Sequence, residues 1–105
     1  MLRVSIRCIR PGKEARLREW LAELGARADE VRATFVDETV RAEQAFIVPG
    51  PDGPLLVCVV EAEDFEQGAR AFAASAQAID HEHRAVLREC VGDSLGLEPS
   101  YEVRL

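Results

Sequence analysis

A run of six apolar residues at positions 55–60 constrains the fold of this chain more than any other feature. The run has the length and the β-branched composition of a strand, and successive side chains of a strand point to opposite faces of a sheet. Because both faces of this strand are apolar, we expect both sides of the sheet to be covered. A chain of 105 residues can cover one side with its own helices, so a second copy of the chain is expected to cover the other.

Length, charge and cysteine usage narrow the class of protein. The length predicts one domain over residues 1–105. A net charge of −6 disfavours nucleic acid, because an acidic chain repels phosphate. No apolar stretch approaches the roughly 20 residues that cross a bilayer, and the first residues resemble a strand rather than a signal peptide. Cys8, Cys58 and Cys90 follow no CxxC spacing, so we expect shielded, reduced thiols, no metal site and a cytoplasmic protein.

The first predicted strand has two chemically different faces. Its apolar residues are expected to face the helices, and its polar residues to face the other side of the sheet. The apolar set is Leu2, Val4, Ile6 and Cys8, and the polar set is Arg3, Ser5 and Arg7.

A helix and a hairpin follow this strand. Hydrophobic periodicity predicts a long amphipathic helix over residues 13–34, with Gly25 as its weak point. Strands are predicted over residues 40–48 and 55–61. The segment 49–54 between them is rich in proline and glycine, which predicts the turn of a hairpin.

The rest of the chain completes an α+β domain. Asp64 and Asp80 are expected to cap two later helices, and alternation predicts a last strand over residues 100–105. The order of elements predicts a ferredoxin-like βαββαβ fold, in which the helices cover one face of a four-stranded antiparallel sheet. The first and third strands are then neighbours at its centre.

Four segments give the chain a family resemblance. Residues 4–7 (VSIR), 10–14 (RPGKE), 55–64 and 80–84 (DHEHR) occur in an order that resembles the dimeric α+β barrel group, which includes the antibiotic-biosynthesis-monooxygenase-like domains. The chain looks most similar to an uncharacterised family of small bacterial proteins. The resemblance implies a homodimer with a small-molecule pocket between sheet and helices. Members that oxidise polyphenols or degrade haem use an Asn with Trp or His, and this chain contains no asparagine.

Five residues are candidates for a site. His83, with an ordinary pKa near neutrality, and Glu61, at the end of an apolar strand, are candidate catalytic acid/base groups. Arg7, Glu43 and Tyr101 are candidate ligand-binding residues. On a helix, His81 and His83 diverge by about 200°, so they are not expected to chelate one metal together.

Four of the five candidates also have a structural interpretation. His83 can be a plain first-turn residue, and Glu61 can form an ion pair with Arg3. Arg7 and Tyr101 can be rim contacts of a dimer interface. Two functions therefore stay open: a non-catalytic protein that binds a small organic molecule, or a monooxygenase- or isomerase-like enzyme that needs no cofactor and uses His83 with a carboxylate.

Overall fold

A computed structural model describes residues 1–105 as an α+β fold with four antiparallel strands and four helices. The strands are β1 (Leu2–Ile9), β2 (Val40–Gly50), β3 (Gly53–Ala62) and β4 (Val91–Leu95), and the helices are α1 (Glu14–Ala26), α2 (Ala28–Glu38), α3 (Phe65–Ala74) and α4 (Ala78–Cys90). The strand order β2-β3-β1-β4 places β1 and β3 at the centre. The predicted ferredoxin-like fold, its hairpin and its central strand pair are confirmed. None of the helices is long and apolar enough to cross a bilayer.

The predicted first helix is two helices. The break falls at Arg27, which has φ −107° and ψ 37°, and not at Gly25, which stays inside α1. The Arg27 side chain forms ion pairs with Glu23, with Glu30 and, at 2.8 Å, with Glu82 of α4. These contacts tie the break to α4, and the new direction carries α2 onto α3 and β2.

The two faces of β1 are reversed relative to the prediction. Arg3, Ser5 and Arg7 face the helices, and the apolar set faces the open side of the sheet. On that open side, Leu2 is 68% and Val4 44% exposed. The prediction was wrong because β3 is apolar on both faces. The apolar residues of β1 can therefore align with either face of β3, and the sequence of β1 does not indicate which face the helices cover. Cys8 is consequently exposed, contrary to the expectation of a shielded thiol.

The last strand also differs from the prediction. β4 follows α4 directly and pairs with β1, from Ile9 opposite Val91 to Ile6 opposite Leu95. Residues 96–105 carry no regular secondary structure, and Tyr101 is 84% exposed. Alternation alone was misleading, because β4 already occupies the β1 edge on which a strand over residues 100–105 was expected to pair.

One of the two predicted helix caps is confirmed. The Asp64 side chain accepts a hydrogen bond of 3.0 Å from the Gln67 backbone N–H at the start of α3. Asp80 is not a cap, because α4 begins at Ala78 and places Asp80 within its buried first turn. Arg84 stabilises this earlier start, since its guanidinium donates to the backbone carbonyls of Phe72 and Ser75 before the helix.

The apolar core occupies only part of the helix layer. It consists of Ile9, Leu17, Trp20, Leu56, Ile79, Val86, Cys90 and Val91, which come from β1, α1, β3, α4 and β4. Neither α2 nor α3 contributes to it, and no residue of α3 is buried. We call α1, α4 and β4 the packed half, and α2, α3 and β2 the cavity half, because a cavity lies beneath the latter.

Candidate functional site

A cavity of about 760 Å³ lies between the sheet and the helices. Its floor is the helix-facing side of β1, β2 and β3, and its walls come from all four helices. Most of the lining is apolar, including Phe65 and Phe72 on α3 and Leu24 on α1. The volume lies within the roughly 300–1,000 Å³ that is usual for small-molecule sites in proteins.

Strand register arranges the polar groups of the cavity floor. Val60 of β3 lies between Arg3 of β1 and Glu43 of β2, so a positive and a negative side chain flank one apolar residue. In the next row, Cys58 lies between Ser5 and an alanine of β2. Burial raises the pKa of the Cys58 thiol to about 11, and the Glu43 charge adds to that rise. The Cys58 thiol is therefore protonated at neutral pH.

Three carboxylates form an acid cluster at the cavity: Glu38 at the end of α2, Glu43 on β2 and Asp80 on α4. Asp80 is only 5% exposed, and its Oδ2 atom has no hydrogen-bond partner in the protein. The Oε1 atom of Glu38 is likewise buried without a partner. Such atoms are uncommon, because a buried polar group without a partner destabilises the fold.

Burial and mutual repulsion change the protonation of this cluster. Desolvation and the Asp80 charge raise the pKa of Glu38 to about 7. The same two causes, in the same order, raise the pKa of Glu43. Glu43 keeps much of its surface accessible, because it faces the cavity rather than packed side chains. The cluster is therefore a set of carboxyl groups in which the charged form is disfavoured.

His83 enters the cavity one helical turn after Asp80, on the same side of α4. The Trp20 indole N–H donates a hydrogen bond of 2.7 Å to His83 Nδ1. An indole can only donate, so His83 Nδ1 is the acceptor and the neutral ring carries its proton on Nε2. Burial lowers the pKa of His83, and the nearby Asp80 charge partly opposes that change. His83 therefore offers an Nε2–H donor.

The arginines of the cavity are engaged away from the acid cluster. The Arg3 guanidinium lies over the Phe65 ring, 4.2 Å from its centroid. Arg7 Nε donates a hydrogen bond of 3.1 Å to the backbone carbonyl of Gly92. None of the ion pairs in the protein includes a carboxylate of the acid cluster.

The structure brings three of the five predicted site residues together. Arg7, Glu43 and His83 all line the cavity. Glu61 does not, because it faces the open side of the sheet between Leu2 and a β2 alanine. Tyr101 lies on the exposed C-terminal segment.

Sequence reasoning missed Glu38 and Asp80 as site residues. Asp80 was interpreted as a helix cap, although its spacing to His83 places both on one helix face. Nothing in the local sequence distinguishes Glu38 from the other acidic residues of α2. No group of three or more His, Cys, Asp or Glu side chains is arranged to hold a metal ion.

Comparison with known proteins yields a family without an assigned activity. No curated protein and no solved structure matches the chain. One protein family matches residues 3–105, which is the whole chain apart from its first two residues. On that match, the chain belongs to the family of unknown function DUF6176.

Proposed function

We propose that this protein binds a small organic molecule in the cavity between the sheet and the helices. The observation that supports the proposal is the cavity of about 760 Å³, whose apolar lining is interrupted by a few polar groups. The apolar side of α3 also favours it, because Phe65 and Phe72 are only half-buried against the rest of the protein. A ligand with an apolar body buries these two rings, which stabilises the complex.

A screen by thermal shift tests this proposal when a variant with an obstructed cavity is included. Ala45→Phe adds a ring to the cavity floor, and Ala22→Phe adds the same ring to the exposed side of α1. We expect compounds that raise the melting temperature of the wild type to raise that of Ala22→Phe equally. The affinity of the same compounds for Ala45→Phe should be about tenfold or more lower than for the wild type. Compounds that bind Ala45→Phe as tightly as the wild type would place the site elsewhere.

The protonation of the site favours a second candidate, an isomerase-like enzyme that uses acid/base chemistry. A carboxyl group with a pKa of about 7, as in Glu38, is well suited to accept a proton at neutral pH. In this candidate reaction, the His83 Nε2–H donates a hydrogen bond to the substrate oxygen on which negative charge develops. Glu38 thus takes the role that the sequence suggested for Glu61, which faces away from the cavity.

Hydrogen exchange in a bound ligand distinguishes the two candidates. A ligand from the screen is incubated with the protein in D₂O, and loss of its C–H signals is followed by NMR. An enzyme should exchange a proton next to a carbonyl group, and Glu38→Gln should abolish that exchange while Glu63→Gln, on the exposed surface, retains it. Tight binding without exchange identifies a non-catalytic binding protein.

We propose further that a second copy of the chain covers the open face of the sheet, as the resemblance to dimeric α+β barrels implies. Val4, Phe46 and Leu95 are each more than 40% exposed on that face. An apolar surface of this kind is typical of an interface between protein chains.

Sedimentation velocity at micromolar protein concentration tests the dimer. Val59 lies on the open face opposite Val4, so Val59→Asp should convert the dimer to monomer or aggregate. Val36→Asp is the matched control, because Val36 is 80% exposed on α2 and away from the sheet. A wild-type protein that sediments as a stable monomer would remove this proposal.

A further inference from the structure

The acid cluster lacks positive charge from within the protein. Asp80 lines the cavity, is nine-tenths or more buried, and has an Oδ2 atom without a hydrogen-bond partner. Glu38 is only partly buried, but its Oε1 atom is also buried without a hydrogen-bond partner. Removing a carboxylate from water destabilises the protein unless a cation or hydrogen-bond donors replace the water. A group that supplies both therefore stabilises this site.

The neighbouring side chains do not supply that group. Arg3 and Arg7 on β1 are directed to an aromatic ring and to a backbone carbonyl. Arg32, the other arginine in the cavity wall, pairs at 2.8 Å with Asp29. His83 on α4 is held in its neutral form, because the Trp20 indole occupies Nδ1.

We propose that the ligand of this cavity is an organic cation, with a primary ammonium group bound by the acid cluster and an apolar body packed beneath α3. This inference rests on the proposed binding function and specifies its ligand class. A primary ammonium has three N–H donors, and the cluster offers three carboxylates on three different elements. Phe65 and Phe72 provide the apolar wall for the body of the ligand.

Other cations match these residues less well. A quaternary ammonium has no N–H donor and leaves the buried oxygens without partners. A metal ion needs three or more ligand atoms within about 2.6 Å of it, and the acidic side chains here do not form such a group, whereas N–H···O bonds of about 2.7–3.2 Å let an ammonium bind carboxylates that stand farther apart. A zwitterion brings a second carboxylate into a cavity that already holds three, and like charges repel.

Ammonium binding is coupled to the protonation of the cluster. With a pKa of about 7, Glu38 is partly protonated at neutral pH, and a bound cation favours its charged form. The affinity for an amine should therefore rise between about pH 6 and about pH 8, with protons released on binding. The charged or titratable groups that line the cavity with Glu38 are Glu43 on β2, Asp80 and His83 on α4, Arg3 and Arg7 on β1, Arg32 on α2 and Cys58 on β3, and Asp37 lies beside Glu38 on α2.

Three probes with one aromatic body test the inference: phenethylamine, phenethyl alcohol and phenylacetate. Isothermal titration calorimetry on the full chain should give an affinity for the amine about tenfold or more above that for the alcohol, with phenylacetate weakest. Asp80→Asn and Glu43→Gln should each weaken the amine by about tenfold and leave the alcohol unchanged. Glu63→Gln, an exposed acidic residue outside the cavity, is the control and should change neither affinity.

The outcomes separate this inference from the function on which it rests. Equal affinities for amine and alcohol in the wild type, or an amine affinity that Asp80→Asn and Glu43→Gln do not change, overturn the ammonium assignment and leave a binding cavity in place. A cavity that binds neutral compounds in the thermal-shift screen but none of the three probes overturns it as well. If the screen yields only compounds that bind Ala45→Phe as tightly as the wild type, both the ligand class and the binding function fall.

Discussion

The packed half and the cavity half of this protein use the same sheet in opposite ways. In the packed half, Leu17, Trp20 and Cys90 are almost completely buried and leave little space against β1 and β3. In the cavity half, α3 presents small residues such as Gly68 and Ala69 between two half-buried phenylalanines, so a large volume remains. Stability comes from close packing, and binding needs unfilled space. α1 and α4 contribute side chains both to the core and to the cavity wall, whereas α2 and α3 line the cavity and contribute no buried side chain to the core.

One hydrogen bond joins the apolar core to the polar part of the cavity wall. Trp20 belongs to the core, and His83 belongs to the cavity wall. Their 2.7 Å contact fixes the orientation of a cavity residue with a side chain that has almost no freedom to move. The packed half therefore positions polar chemistry for the cavity half, which follows the general rule that a rigid scaffold supports a binding site.

Two leucines of α1 provide the strongest test of this comparison. Leu17 is 0% exposed in the core, and Leu24, two turns along the same face, is half-buried and lines the cavity. Leu17→Ala should lower the free energy of unfolding by about 3 kcal/mol, and Leu24→Ala by about 1 kcal/mol, because less packing is lost. Urea denaturation followed by circular dichroism measures both. Equal losses would show that the two halves are packed alike.

Substitutions at two glycines test how closely α2 and α3 approach each other in the cavity half. A Cβ atom at Gly68 would lie 2.7 Å from the backbone oxygen of Glu38, so Gly68→Ala must push α3 away from α2. We expect it to destabilise the protein by about 1–2 kcal/mol, although alanine favours helix. Gly25→Ala on α1 meets nothing within 4 Å and should stabilise by about 0.5–1 kcal/mol. Thermal unfolding of both variants measures these changes. A Gly68→Ala protein that is more stable than the wild type would contradict the close approach of Gly68 to the Glu38 backbone.

The acid cluster makes stability depend on pH. Because the pKa of Glu38 rises from 4.5 to about 7 on folding, the folded state binds more protons in that interval and stability falls as the pH rises through it. Glu38→Gln removes this loss, so its stability relative to wild type should grow across the same interval. The lowered pKa of His83 has the opposite effect, because it makes stability fall as the pH falls below 6.5. Both the wild type and Glu38→Gln contain His83, so this contribution cancels in the difference between their stabilities.

Urea titrations at a series of pH values measure this difference. Glu19→Gln is the matched control, since Glu19 is exposed on α1 and is not among the charges that act on Glu38. It should show no growing difference from wild type between pH 4.5 and about 7. The same pH dependence in both variants would mean that the burial of Glu38 is not its cause.

The smallest effect is expected at Tyr101. Because this side chain is 84% exposed and is not part of the cavity lining, Tyr101→Ala should change the free energy of unfolding by less than about 0.5 kcal/mol. It should also leave the affinity for cavity ligands unchanged. Calorimetry with phenethylamine measures this affinity, and a clear loss would bring Tyr101 into the site.

Local patterns predicted the order of elements well. The hairpin at residues 49–54 and the Asp64 cap depend on neighbouring residues only, and the structure confirms both. The faces of β1 were predicted wrongly, since the choice depends on which side of β3 the helices occupy. Periodicity identifies an apolar stripe, but it does not identify what covers that stripe.

The acid cluster could not be predicted for a related reason. The acid cluster consists of Glu38 on α2, Glu43 on β2 and Asp80 on α4. These are three different elements, and only the folded arrangement brings their carboxylates to one cavity. Each is unremarkable among the 19 acidic residues of the chain. Their position around one cavity separates them from the surface carboxylates, and His83 was found only because histidine is rare here.

The contact between Trp20 and His83 has an optical consequence. Trp20 is the only tryptophan in the chain, so all tryptophan fluorescence of the protein originates from one ring. That ring is shielded from solvent and bonded through its N–H to a residue of the cavity wall. A molecule that contacts His83 changes the environment of this fluorophore. The intrinsic fluorescence of the unlabelled protein therefore reports whether the cavity is occupied.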